Sequence, residues 1–182
     1  EFILDKLEKG LPKNLYYHNL KHTVDVFTQV ELIGRAENVS KEELLLLKTA
    51  ALFHDAGHLI DYDTHEEMAV KLVREILPEY QYSDRQIEMI SQLIMCTKLP
   101  PNPKSILEEI MCDADLDYLG RPDFIPVSNT LYKELHEHGK VGTLREWNEL
   151  QIKFIDKHSY FTKTARRLRN VNKQSQLDKL KT

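Results

Sequence analysis

Long apolar runs are missing from this chain. No stretch approaches the ~18 residues that a membrane-spanning helix needs, so no membrane role is expected. Cysteine is scarce. Cys96 and Cys112 are the two thiols in 182 residues, both in apolar, helix-patterned segments, and they form no CxxC pair. That excludes a disulfide framework and suits reduced, buried thiols inside a cell. Positive charge is not in excess either. Lys and Arg number 25 against 29 Asp and Glu, giving a net charge of −4 and a pI of about 6.1. Such a balance leaves no basic footprint for nucleic acid. The start of the chain shows no charged-then-apolar leader, so a cytoplasmic location is expected. There is no internal repeat, no low-complexity tract and no convincing strand.

What is present is helix. Ser40-x-x-Glu43, Thr64-x-x-Glu67, Ser83-x-x-Gln86 and Thr143-x-x-Glu146 each read as a capping box, in which a hydroxyl and a carboxylate or amide satisfy two free amides at a helix start. Apolar periodicity predicts helices over residues 24–36, 44–53, 68–77, 85–97, 127–138, 143–157 and 162–180. Another should start with Asn102 as N-cap and Pro103 at N1, run through Asp115, and end by Gly120. The segment from Leu44 to Phe53 is apolar nearly all round, which places it at the centre of a bundle. Gly57 follows as a terminator or a site of close backbone approach. With 41% apolar residues the chain can bury a substantial core, so the expectation is all-α, one helical domain over residues 1–182. The strongly polar last segment should fray or pack against a neighbouring subunit, which admits a homodimer.

The chemistry is carried by histidine and aspartate at breaks between these helices. His18 and His22 are four apart and share a face if that turn is helical. His54-Asp55 adds adjacent nitrogen and oxygen donors straight after the buried helix. An aspartate there needs a partner or a metal; capping of the next turn would explain Asp55 alone. His58 and His65 follow, so five of the eight histidines fall between residues 18 and 65. Asp113 and Asp115 diverge by about 200° on a helix, so one of them should face the site. Asp115, between Ala114 and Leu116, is favoured, with Asp113 as a solvent-facing or supporting alternative and Asp117 as an exposed one. Lys21, Lys98 or Arg121 could bind phosphate oxygens. His136 and His138 read as exposed, because Glu134 and Glu137 make their segment solvent-like. His158 suits the negative end of its helix when protonated.

In this order, His22, His54-Asp55 and Ala114-Asp115-Leu116 resemble the H…HD…D pattern of the HD superfamily of metal-dependent phosphohydrolases. The run from Tyr17 through His18, Asn19 and His22 to Asp25-Val26 is similar to the YHNxxHxxDV motif of class I cyclic nucleotide phosphodiesterases. His54-Asp55-Ala56-Gly57-His58 is similar to their HDxxH. Met95-Cys96-Thr97-Lys98 takes the place of their ATD segment, with Lys98 where they carry aspartate.

The resemblance implies an HD-type bundle with its metal site at the centre. It assigns His22, His54, Asp55 and Asp115 to a first divalent metal, with Asp55 bridging to a second where one binds. The ion would be Mg, Mn, Fe, Co, Ni or Zn. His18 matches the histidine that protonates the leaving oxygen, and His58 one that sits near the attacking water. His65 takes a catalytic role by likeness to His-Glu pairs in other HD proteins. Lys21 and Lys98 would bind substrate, Lys98 at the family-aligned position. The expected partner is a small-molecule phosphoester, a nucleotide or cyclic nucleotide. Trp147 and Gln151 stand where those phosphodiesterases grip a purine, Trp147 equally suited to core and Gln151 to surface. No GYP motif follows the HD pair, against a cyclic di-GMP branch, and no acidic dyad suits alarmone hydrolysis. Two other readings use the same residues: a sensor or interaction module on an HD scaffold, and a di-iron HD oxygenase that would employ His58 and His65.

Overall fold

The computed structural model describes residues 1–181. Among these it carries nine α-helices and no strand: α1 (Phe2–Gly10), α2 (Leu20–Ala36), α3 (Lys41–Phe53), α4 (His65–Ile76), α5 (Asp84–Met95), α6 (Ile106–Asp115), α7 (Phe124–Glu137), α8 (Leu144–Lys157) and α9 (Lys163–Lys181). Short 3₁₀ turns at Ala56–Leu59, Leu77–Tyr80 and Asp117–Gly120 join several of them.

Side-chain caps set most of the starts. Complete capping boxes at Ser40/Glu43, Ser83/Gln86 and Thr143/Glu146 open α3, α5 and α8, as the spacing predicts. Two starts differ from expectation. The Thr64 hydroxyl donates to Asp61 Oδ1 at 2.8 Å instead of capping α4, and the same oxygen accepts the amides of Asp63 and Thr64. Asp61 therefore organises that turn, and Glu67 is drawn off to Lys98. Nor does α6 begin at Asn102-Pro103. Its N-cap is Ser105, whose Oγ accepts the Glu108 amide at 3.3 Å while Glu108 Oε2 takes the Lys104 amide at 2.7 Å. This reciprocal pair at Ser105 and Glu108 outcompetes the weaker proline signal.

The main core is built on α3. It buries Leu46, Leu47, Ala50, Ala51 and Phe53, although Leu45 stays half exposed. Val30 of α2, Ile90 and Ile94 of α5, and Ile110 and Met111 of α6 close around it, all fully buried. Each such side chain contributes about 1.5–3 kcal/mol. A second cluster joins Tyr17, Leu116, Leu119, Phe124, Ile155 and Leu177. Ala114 belongs to the first cluster and Leu116 to the second, so Asp115 sits at their junction.

The polar last segment packs on its own chain. Leu177 joins the second cluster, and Lys181 pairs with Asp156 at 3.0 Å. Arg169 of α9 meets Asp117 at 2.7 and 3.2 Å, so Asp117 is buried and paired rather than exposed. Gln151 is likewise buried, not at the surface: its side-chain oxygen accepts from the Ser128 hydroxyl. His158 is buried with neither ring nitrogen hydrogen-bonded. Burial, helped by the charge on Lys173, pushes its pKa down to about 4, so it sits neutral in the fold instead of charged at the helix end. Among the described residues no helix is long and apolar enough to cross a membrane.

Candidate metal centre

Three helix ends meet at the site. Asn19 caps α2, its Oδ1 accepting the Lys21 and His22 amides at 2.9 and 3.3 Å, and this puts His22 in the first turn. His18 lies just before the cap, so the two histidines do not share the regular helical face that a four-residue spacing predicts. At the end of α3, His54 Nδ1 donates to the Ala51 carbonyl at 2.8 Å. In the neutral ring this leaves the Nε2 lone pair free for a ligand. Asp115 closes α6 and places Oδ1 3.1 Å from His22 Nε2 and 3.5 Å from His54 Nε2.

His22, His54 and Asp115 thus form one donor group, with ligand atoms within 4.8 Å of one another, and His18, Asp55 and His58 form a second. Asp55 connects them. Its Oδ2 lies 3.4 Å from His22 Nε2 and 3.2 Å from His54 Nε2, and its Oδ1 lies 3.7 Å from His65 Nε2. The 3₁₀ turn Ala56–Leu59 delivers His58, which stacks on His65 with ring centroids 4.1 Å apart. Gly57 makes that turn feasible. A Cβ there would fall 1.8 Å from the His65 carbonyl oxygen, so the backbone of the turn lies directly against the head of α4.

Electrostatics follow from this crowding. Burial resists a proton on His54, but Asp55 and Asp115 overcome it and hold its pKa well above the usual imidazole value. Burial also opposes the charge on Asp55 and Asp115. The surrounding histidines nevertheless pull both below the usual carboxylate range. His58 goes the other way: burial pushes it down to about 3. Both its ring nitrogens, and Asp55 Oδ2, are buried without a hydrogen bond. Buried polar atoms rarely go unsatisfied, and these are nitrogen and carboxylate donors that suit Mg, Mn, Fe, Co, Ni or Zn. The residues present therefore fit a divalent ion.

Glu134 of α7 is a site residue that sequence reasoning misses. It is fully buried and accepts the Tyr17 and His18 amides at 2.7 and 3.0 Å, the Tyr62 hydroxyl at 3.2 Å, and His18 Nδ1. Burial works against a proton on His18, yet Asp55 and the Glu134 bond raise its pKa. Glu134 itself is lowered, because His18 and the two amides outweigh its own burial. The available signal is its phase: Val127, Leu131 and Glu134 fall on one stripe of α7. A charge on an apolar stripe asks for a partner.

The expected phosphate ligands are less convergent. Lys21 is exposed and pairs with Asp25 at 3.0 Å. Arg121 is tied to Asp123 and Asp25. Lys98 pairs with Glu67 at the rim of the main cavity. Asp113 turns away from the donor groups. It is fully buried and accepts the Phe161 and Thr162 amides at 2.9 and 2.8 Å, so it anchors the loop before α9. His136 is exposed, and His138 stacks on Tyr62 with ring centroids 3.7 Å apart.

A family model described as HD domain matches residues 19–118, more than half of the chain. An uncharacterized protein of Clostridium beijerinckii is 36% identical over 81 residues, which is 43% of this chain and 51% of that protein. The chain spans about half the length of this curated relative. A crystal structure described as a predicted HD superfamily hydrolase, from an uncultured Thermotogales bacterium, superposes with a TM-score of 0.63 at 18% identity. That match covers 99% of this chain and 88% of the other, and it shows a shared fold.

Proposed function

The chain belongs to the HD domain family, and on that premise we propose that it is a metal-dependent phosphohydrolase. Its substrate is a phosphoester, with nucleotides and cyclic nucleotides the classes that the sequence resemblance names. The observation that carries this reading is Asp55, set between two groups of nitrogen and carboxylate donors and retaining a buried oxygen without a hydrogen bond. His22, His54 and Asp115 would hold one ion. Asp55 and His58, with His65 beside them, would serve a second. A divalent ion in such a site offsets phosphoryl charge and acidifies water.

The chain's own residues supply the rest. His18 is the proton donor for the leaving oxygen: Glu134 takes its Nδ1, which leaves Nε2 for the cavity that His18 lines. The Asp55 charge and the Glu134 bond favour its protonated form. The buried Tyr17 ring lies tilted against His22, with ring centroids 4.6 Å apart, and packs that imidazole in place. Lys98, on the rim, offers one positive charge to a phosphoryl oxygen if Glu67 releases it.

Hydrolysis of cyclic nucleotides and nucleoside monophosphates with Mg²⁺, Mn²⁺, Fe²⁺ or Co²⁺ tests the reading. Turnover that disappears in His54→Ala and Asp115→Ala is the expected result. Bound metal without turnover of any phosphoester would transfer the site to a sensor role, or to the oxygenase chemistry that the stacked His58 and His65 could serve.

A further inference from the structure

A cavity of about 710 Å³ opens beside the histidines and is closed on its far side by α7 and α8. Leu131, Leu135, Trp147, Leu150, Phe154 and Ile155 form that far wall. Its polar atoms already have partners. Trp147 Nε1 donates to Ser128 Oγ at 3.3 Å. Gln151 accepts the Ser128 hydroxyl and donates its amide to Asn148 Oδ1 at 3.4 Å. Nearer the donor groups, the Thr97 hydroxyl is spent on the Ile94 carbonyl and the Tyr62 hydroxyl on Glu134. Tyr17 and Tyr118 also line the cavity and pack in one cluster with Leu131, Phe154 and Ile155.

Charge narrows the choice further. Asp55, Asp63, Glu66 and Asp115 line the cavity, and its cationic side chains are Lys98 and Lys140. Both lysines are paired, Lys98 with Glu67 and Lys140 with Asp63 at 2.5 Å. Among the described residues no arginine lines it. A polyphosphate would find no unpaired lysine or arginine beyond the donor groups, among the described residues. A nucleobase laid against the α7–α8 wall would give up its hydrogen bonds to water and find the polar side chains there already engaged with one another.

Resting on the phosphohydrolase reading and narrowing its substrate, we infer that this cavity takes a phosphoester with a single phosphoryl group on an apolar alcohol, aryl or alkyl. The phosphoryl group sits at the donor groups and the apolar body lies against α7 and α8. The closed Trp147–Ser128–Gln151 circuit keeps that wall free of unsatisfied polar atoms, so it selects by shape and apolar area.

Trp147 is the sole tryptophan and reports on its own wall. With Mn²⁺ present, its emission is followed while methyl-, butyl-, hexyl- and phenylphosphonate, AMP and ATP are titrated in. Affinity should rise about four-fold for each buried methylene, leaving hexylphosphonate at least ~100-fold tighter than methylphosphonate and the nucleotides no tighter than methylphosphonate. Leu150 is half exposed at the rim, so Leu150→Lys should leave the circular dichroism unchanged. It should cut the chain-length gain, read as the ratio of hexyl- to methylphosphonate affinity in the same variant, at least ~10-fold. Affinity that is flat with chain length, or AMP binding tighter than hexylphosphonate, overturns the inference. Hexyl phosphate, phenyl phosphate and the nucleotides are assayed for hydrolysis in parallel. Nucleotide turnover with tight AMP binding sinks this inference and spares the phosphohydrolase. A clear chain-length preference with no ester hydrolysed sinks the phosphohydrolase and leaves the apolar ligand preference standing.

Discussion

Glu134, fully buried on α7, holds Nδ1 of His18, a residue 116 positions earlier in the chain. The same carboxylate accepts the backbone amides of Tyr17 and His18, so it fixes both the place of that imidazole and its preference for a proton.

Replacing Glu134 by glutamine should keep the amide contacts and remove the charge. Loss of a general acid's support is expected to lower kcat about 10–100-fold, less than the roughly 10²–10⁴-fold that general acid catalysis contributes when the acid itself is lost. The sign is fixed by the carboxylate. Without it His18 deprotonates at lower pH, so the alkaline limb of the pH–rate profile moves down. A profile that keeps its position while kcat falls would show that Glu134 only supports the fold. Glu134→Ala should also destabilise, because two buried amides lose their acceptor.

Metal should stabilise the fold. Binding to the native state alone contributes about 2.7 kcal/mol at 100 times Kd, which for a domain of this size is roughly 5–10 °C in Tm. A thermal melt with and without each divalent ion, and with a chelator, checks this. His54→Ala should abolish the increment, since losing a group that merely orients a ligand already costs about 10–100-fold in affinity. A melting point indifferent to every ion would rule out the metal centre.

His158 gives a pH dependence that lies outside the site. Its pKa is about 4 in the fold, against 6.5 for a free imidazole. Below pH 6.5 the unfolded chain takes up a proton that the buried ring refuses. Stability is therefore whole above pH 6.5 and declines as pH falls towards 4, by roughly 2–3 kcal/mol in total. Urea midpoints measured across that window should fall less steeply in His158→Leu than in the parent chain. Parallel curves would mean that this ring stays solvated.

Much of the candidate site is legible in the sequence alone, for a physical reason. His22, His54-Asp55 and Asp115 stand at helix ends, and helix ends are marked locally by caps, by the polar break after an apolar run, and by Gly57. Asp115 is preferred to Asp113 from its apolar neighbours alone, and the structure turns only Asp115 towards His22. Partnership at a distance leaves no such local mark. Glu134 sits between Lys133 and Leu135, close to His136 and Glu137, and looks solvated; its partners are at Tyr17, His18 and Tyr62. Asp117 looks exposed until Arg169 folds over it. His158 looks like a helix-end charge until Phe154 and Tyr160 enclose it. Short-range contests are also close: the prolines ahead of α6 suggest a start at Asn102, and a better hydrogen-bonded pair three residues on takes it.

The Arg169–Asp117 pair has a bearing on how the HD signature can be handled. Asp117 lies two residues beyond Asp115, in the turn that α9 covers. Asp113, two residues before it, is pinned by Phe161 and Thr162. The aspartate of the first donor group is therefore braced on both sides by residues beyond 160, well outside the matched span of 19–118. The signature is not a portable cassette. Grafted alone onto another scaffold, residues 19–118 would carry every letter of the motif and lack the braces that aim its last one.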